Sequence, residues 1–191
     1  MALGCAVLWA VNALILRDLS ARVTPAAINT IRCGAAGAAF LLLLPFHEAP
    51  TALADVPWVD WALLLSSVTI GIVVGDTLYL VSLREIGVSR AMPLSGSFPV
   101  ATLFFERLLL GTPLEAEVLS GSVLVAAGVV LLARGRVHDP QAPMAGSLRL
   151  GLLCALAASL LWGFAVTLLK PALEHLTQIQ ANAVRMPLVS L

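Results

Sequence analysis

Long apolar runs separated by brief polar breaks set the pattern of this chain. An α-helix needs about 20 predominantly apolar residues to cross roughly 30 Å of hydrocarbon. Runs that reach or approach that length cover residues 2–16, 26–45, 61–83, 91–111, 118–133 and 150–169, and a seventh begins near Ile179. None alternates polar and apolar residues as a membrane barrel strand would, and lipid forces each backbone group to find its partner within its own segment. The pattern predicts an all-α fold, a polytopic transmembrane helix bundle. The connections are short except 47–60 and 135–147, both rich in Pro, Ala and polar or acidic residues. Met1 runs straight into apolar residues without a basic leader, so the opening run is expected to be a first membrane helix and not a cleaved signal peptide. The last residue, Leu191, lies inside an apolar stretch, and the chain is expected to be a fragment of a longer protein.

The pattern also repeats. Residues 2–32 align without a gap on 155–185 at a constant offset of 153, with identities at Ala2/Ala155, Leu3/Leu156, Trp9/Trp162, Leu16/Leu169, Thr24/Thr177, Asn29/Asn182 and Arg32/Arg185. Arg17/Lys170 keeps its charge. An opening span that returns after five crossings enters the membrane from the opposite side, which makes this an inverted repeat, an architecture of many secondary transporters. The expected organisation is a complete five-helix repeat at 1–134, a linker at 135–147 holding Arg136, His138, Asp139, Pro140 and Pro143, and the truncated start of a second repeat at 148–191.

Composition agrees: 60% of the 191 residues are hydrophobic and 12% charged, with a mean hydropathy of +0.98, which places the chain in the bilayer. Lys+Arg and Asp+Glu number 11 each, so no net field points to nucleic acid, and that partner is set aside. Cys5, Cys33 and Cys154 sit in apolar stretches without paired spacing and read as small buried hydrophobes. His47, His138 and His175 are scattered in connections, so no metal site is expected, and no cofactor is called for. Phosphate-loop, nucleophile-elbow and H-E-x-x-H signatures are missing from the sequence. Arg17, Arg22, Arg84, Arg90, Arg134, Arg136 and Arg149 fall on one side of the predicted topology. Glu48, Asp55, Asp60, Glu115, Glu117, Lys170 and Glu174 fall on the other. The arginine bias places the N-terminus outside.

Ionisable groups at membrane depth cost ~2.5–3.5 kcal/mol each on insertion scales and are candidates for function. Four stand out: Arg32, Asp76, Glu106 and Arg107, whose charges sum to zero as mutual pairing would require. Asp76 lies beside the Gly71/Gly75 small-residue stripe and so near a tight helix contact. It reads either as a proton, cation or substrate site or as a structural carboxylate paired with Arg32. Ser95, Pro99, Thr102 and Glu106 follow at +4, +3 and +4 and are predicted to share one inward polar face, with Pro99 freeing a carbonyl one turn earlier. Glu106 is then cavity-lining or ion-paired, while Arg107 snorkels to the interface. Arg32 and its mate Arg185 either attract an anionic group or anchor helix termini. Asn12 shares a face with Trp9 and is either a pathway residue or an interhelical hydrogen bonder. Gly121 and Gly128 are predicted to make a packing stripe.

Several stretches together resemble the EamA-type transporters of the drug/metabolite transporter superfamily. They are Leu8-Trp9-Ala10-Val11-Asn12, Arg32 at the head of span two, and Gly75-Asp76-Thr77-Leu78-Tyr79. Leu83 through Ala91, Phe98-Pro99-Val100, and Gly121 through Gly128 complete the set. The resemblance implies ten helices in two inverted five-helix halves that move small metabolites by alternating access, often as exporters and often coupled to an ion gradient. It also implies a cytoplasmic N-terminus, against the arginine count. Gly111-Thr112 stands where such proteins often have Gly-Glu, so a role of that Glu does not transfer.

The expectation is therefore the N-terminal part of a multi-pass secondary transporter in the inner or plasma membrane. Its partners would be a small-molecule substrate, protons, the lipid bilayer, the remaining C-terminal helices and a second copy in a homodimer. Asp76, Glu106 and Arg32 would line or gate the cavity, with Tyr79, Ser95, Pro99, Thr102, Asn12 and Trp9 shaping it and Trp162 and Arg185 as repeat-related positions. Asp76 is the first choice for a proton carrier. The competing expectations are a membrane-embedded lipid-modifying enzyme using Asp76 and Glu106, and a non-transporting assembly subunit.

Overall fold

A computed structural model describes residues 2–20, 22–47, 56–113, 115–134 and 147–190, and these are helical with no strand among them. The linker at 135–146, together with Glu48 and Asp55, lies outside the described residues. The helices are α1 (Ala2–Ser20), α2 (Pro25–His47), α3 (Trp58–Ile86), α4 (Val88–Ser95), α5 (Phe98–Phe105, continued by a π-helical turn Glu106–Leu110), α6 (Ala116–Arg134), α7 (Leu148–Ala172) and α8 (Gln178–Ser190). Three stretches, Pro25–Phe46, Trp58–Ile86 and Leu148–Ala172, are long and apolar enough to cross a membrane on their own.

Helix α7, the second copy of the opening span, is the centre of the bundle and packs against α3, α4 and α5. It runs antiparallel to α3, and small residues set the approach. A Cβ on Gly71 would stand 2.7 Å from Ala165, one on Gly75 would stand 2.9 Å from the Trp162 ring, and one on Gly151 would collide with Ile86. One buried cluster on this seam joins Leu16, Ile28, Tyr79, Leu80, Leu83, Ile86, Ala91 and Ala158. A second joins Val56, Leu64, Leu169, Leu176 and Ala181. Outward side chains such as Leu8, Leu42, Phe46, Leu124 and Leu153 are exposed, as lipid contact requires.

The two copies of the repeat meet directly through α2 and α8. A Cβ on Gly34 would lie 3.4 Å from that of Ser190, and one on Gly37 would lie 2.8 Å from the Pro187 ring. As one residue number rises the other falls, so the helices are antiparallel. The contact is also reciprocal, because Pro187 is the repeat mate of Gly34 and Ser190 that of Gly37. Each helix starts on the same device. Thr24 Oγ1 accepts from the N–H of Ala27 at 3.4 Å, and Thr177 Oγ1 accepts from that of Gln180 at 3.3 Å. In the second copy Gln180 Oε1 also accepts from the Thr177 N–H at 2.8 Å, completing a capping box that Ala27 cannot form.

Two expectations are corrected. The run at 91–111 is not one helix. Pro99 has no N–H for the Ser95 carbonyl and its ring crowds that turn, so α4 ends at Ser95 and α5 restarts with Pro99 in its first turn, where the missing donor is harmless. Ser97 bridges the break, its hydroxyl donating to Leu94 O at 2.6 Å and lying 3.1 Å from Ser159 Oγ. Ser95 therefore does not share a helical face with Pro99, Thr102 and Glu106. The second correction concerns Gly121 and Gly128, which have no heavy atom near their Cβ positions and are not packing glycines among the described residues. Helix α6 is peripheral, and most of its described side chains are exposed. The turn from α3 to α4 rests on Gly87, whose φ of 75° other residues rarely adopt.

The ends of the bundle differ in charge. Arg22, Arg84, Arg90 and Arg149 sit where α1 and α3 end and α4 and α7 begin. At the opposite end Lys170 Nζ lies 3.0 Å from Glu106 Oε2, and His175 Nδ1 lies 2.9 Å from Asp60 Oδ2.

Packing predicts a contrast between glycines. In Gly163→Ala the new methyl would stand 2.7 Å from both Ala101 Cβ and the Thr102 backbone nitrogen. That overpacking should cost about 1–3 kcal/mol. Gly121→Ala meets nothing and should be neutral or gain up to ~1 kcal/mol from helix propensity. Unfolding of each variant in detergent micelles titrated with sodium dodecyl sulfate reads the difference; equal stabilities would contradict the packing described.

Candidate functional site

The site begins with an irregularity in α3. Residues Val68–Asp76 wind as a π-helix, which widens the turn and turns backbone carbonyls out of the ordinary ladder. Other elements take them up. Trp162 Nε1 of α7 donates to Gly71 O at 3.1 Å, and Asn29 Nδ2 of α2 reaches Ile72 O at 3.3 Å. Asn29 also lies 3.4 Å from Thr77 Oγ1, whose own hydroxyl donates to Val73 O at 2.6 Å.

At the end of this segment Asp76 is held from two sides. Arg32 of α2 forms an ion pair with its Oδ2, and Trp162 Nε1 donates to its Oδ1 at 2.8 Å. Arg32 donates in addition to Asn29 Oδ1 at 3.2 Å, so Asn29 fixes the guanidinium with its oxygen and the π-segment with its nitrogen. The Asp76 side chain keeps 15% of its exposure and Arg32 35%, which makes the pair partly buried. Hydrogen bonds to a charged partner of this kind are worth about 1.5–3 kcal/mol each.

Aromatic rings surround the carboxylate. Trp162 is their hub, with its ring centroid 5.1 Å from Tyr79, 6.0 Å from Phe98 and 6.1 Å from Trp9, while Trp9 and Phe98 meet edge to face at 6.0 Å. Together these groups line a cleft of about 300 Å³, at the small end for ligand sites. Asn12, Arg32, Asp76, Arg185 and the Tyr79 hydroxyl supply its polar groups, and Gly71, Ile72, Ala165, Val166 and Leu169 complete the wall.

Of the residues singled out from the sequence, Trp9, Asn12, Arg32, Gly71, Asp76, Tyr79, Trp162 and Arg185 come together here, with Gly75 beneath the Trp162 ring. The four expected to form an inward face on span four do not. Ser95 is fully buried and its hydroxyl is directed at Ala155 O, 3.5 Å away. Pro99 lies at the helix break. Thr102 donates its hydroxyl to Phe98 O at 3.0 Å, and Glu106 faces Lys170 at the bundle end. The Arg107 guanidinium, near the surface, donates to Gly111 O at 3.2 Å. Phe98 and Asn29 were missed as site residues. Asn29 carries a signal in the sequence as one of the repeat identities, whereas Phe98 carries none beyond standing beside Pro99. Among the described residues no group of three or more His, Cys, Asp or Glu is placed to hold a metal ion.

Comparison with known proteins matches residues 1–134 to the EamA-like transporter family. The chain belongs to this family. It is 28% identical over 172 residues to a protein of Archaeoglobus fulgidus described as an uncharacterized transporter, a match covering 87% of this chain and 56% of that protein. The chain thus spans about half the length of the curated relative it matches. No solved structure matches it. In this EamA-family chain the family match contains α1 to α6, and the cleft adds to them Trp162 and Arg185 from α7 and α8, beyond the matched residues.

The Arg32–Asp76 pair predicts strong coupling. Removing one partner of a buried pair strands the other, so Arg32→Gln and Asp76→Asn should each destabilise the chain by about 2–4 kcal/mol, less than at full burial because Arg32 is partly exposed. The double variant should lose at least ~1 kcal/mol less than the sum of the singles. A double-mutant cycle in detergent measures this, and strict additivity would contradict the pairing.

Proposed function

We propose that this chain forms part of a secondary transporter that carries small organic metabolites across the cell membrane by alternating access, in the export direction. The cleft at Asp76 is its substrate pathway. One observation carries the proposal: two repeat pairs, Trp9/Trp162 and Arg32/Arg185, converge on a single cleft around one carboxylate. An inverted repeat whose two copies share a site can open that site to either leaflet by exchanging conformations between the copies. Membership of the EamA-like transporter family supports the same reading over an enzymatic one.

In this scheme 1–134 is the first five-helix repeat and 148–191 opens the second, with further C-terminal helices of the full-length protein completing the path. A multi-pass protein in the inner or plasma membrane, able to form a homodimer, follows. Asp76 is the coupling site: a proton arriving at the carboxylate would release Arg32, and that release is a local charge change able to bias a two-state element. The Glu106–Lys170 ion pair, tying α5 to α7 at one end of the bundle, is placed to act as a closure at that end.

Alternating access is tested without knowing the substrate. In full-length protein with Cys5, Cys33 and Cys154 replaced, Asn12→Cys and Val166→Cys on the cleft wall should react with a membrane-impermeant methanethiosulfonate in both right-side-out and inside-out vesicles. Leu153→Cys, on the outer surface of α7, should react in neither. Labelling of the cleft positions from one side only, or from neither, would contradict transport through this cleft.

A further inference from the structure

The charges in the cleft do not cancel. Among the described residues Asp76 is its one carboxylate, and both of its oxygens are engaged, one by Arg32 and one by the Trp162 N–H. The second guanidinium, on Arg185, also lines the cleft. Its Nε is buried without a hydrogen-bond partner, and among the described residues the guanidinium forms no ion pair. The pocket walls thus carry two cations against one anion. A guanidinium left unpaired in a low-dielectric setting is unfavourable until an opposite charge arrives. Its planar fork of N–H donors matches a carboxylate or another planar or tetrahedral oxyanion. Around it the wall is aromatic and aliphatic: Trp9, Phe98, Trp162 and Ile72 offer ring and hydrocarbon surface to an apolar body.

We propose that the cleft recognises a small organic monoanion, with its oxyanion paired to Arg185 and its ring or hydrocarbon part packed against Trp162 and Phe98. This rests on the cleft being the substrate pathway and names the class of substrate that pathway accepts. A cationic substrate is disfavoured by the same arithmetic, since the one carboxylate is already held and the excess charge is positive. A neutral substrate would leave Arg185 as it stands. Among the described residues the excess is one positive charge, which one negative charge on the ligand would balance.

The test uses benzoate, benzylamine and benzyl alcohol, which share a ring and differ in charge. Trp58 and Trp61, which do not line the cleft, are first replaced by Phe, so that the fluorescence of the 191-residue chain in detergent reports Trp9 and Trp162. Benzoate should quench this signal saturably, at least tenfold more tightly than the amine or the alcohol. Arg185→Gln should weaken benzoate at least tenfold while leaving benzyl alcohol binding within twofold, and Arg185→Lys should retain part of the benzoate affinity.

A second readout guards against misfolding. Without ligand, Arg185→Gln should melt no lower than the parent, because among the described residues Arg185 forms no ion pair that the change would break. Benzoate should raise the melting temperature of the parent and not of Arg185→Gln. Tightest binding by benzylamine or benzyl alcohol, or undiminished benzoate affinity in Arg185→Gln, would overturn the anion assignment and leave the cleft as a binding site. Absence of saturable quenching by all three probes would overturn the assignment together with the pathway on which it rests.

Discussion

A carboxylate placed at membrane depth must be held by charge and by hydrogen bonds, and the way Asp76 is held organises the molecule. Arg32 reaches it from α2 and Trp162 from α7. Each partner has requirements of its own. Trp162 can approach only because Gly75 leaves no side chain in its way, and its N–H is shared between the carboxylate and a carbonyl turned outward by the π-helical turn. Arg32 is steadied by Asn29, which is itself tied to that same turn. Three helices are therefore locked to one another through a single carboxyl group.

The repeat explains why the partners arrive where they do. In the first copy Thr24 sets the start of α2 and places Arg32 two turns later; in the second copy Thr177 does the same for α8 and Arg185. With α2 and α8 antiparallel, the two arginines reach a common cleft from helices of opposite direction. The tryptophans do likewise from α1 and α7. What breaks the symmetry is equally informative. Ala165 replaces Asn12, and Asp76 supplies one acid for two arginines, so the cleft is asymmetric in charge although its frame is two-fold. Asymmetry of this kind gives a ligand an orientation within a symmetric scaffold.

Much of this was legible in the sequence, for physical reasons. Hydropathy identified the apolar helices because lipid leaves few alternatives, and the offset of 153 brought forward the tryptophan and arginine pairs before any contact was known. The failures come from features that hydropathy does not register. The break at Gly96 and Ser97 hides inside an apolar run, and reading Ser95, Pro99, Thr102 and Glu106 as one stripe assumed a continuous helix that Pro99 does not permit. Gly121 and Gly128 look like packing residues by spacing, yet spacing says nothing about whether a neighbour is present. The π-helical turn has no periodicity signature over nine residues, so the roles of Asn29 and of the Gly71 and Ile72 carbonyls could not be read from the chain alone.

The central claim is that two copies of one helical pattern pack head to tail about this carboxylate, and its direct test is the register of α2 against α8. With the native cysteines replaced, the pair Gly34→Cys with Ser190→Cys should form a disulfide rapidly under mild oxidation. The 34–190 pair has a Cβ separation of 3.4 Å, close to the range of a natural bridge. Faster closure of 34 with 187 and of 37 with 190 would mean that the helices run in the same direction and would contradict the account.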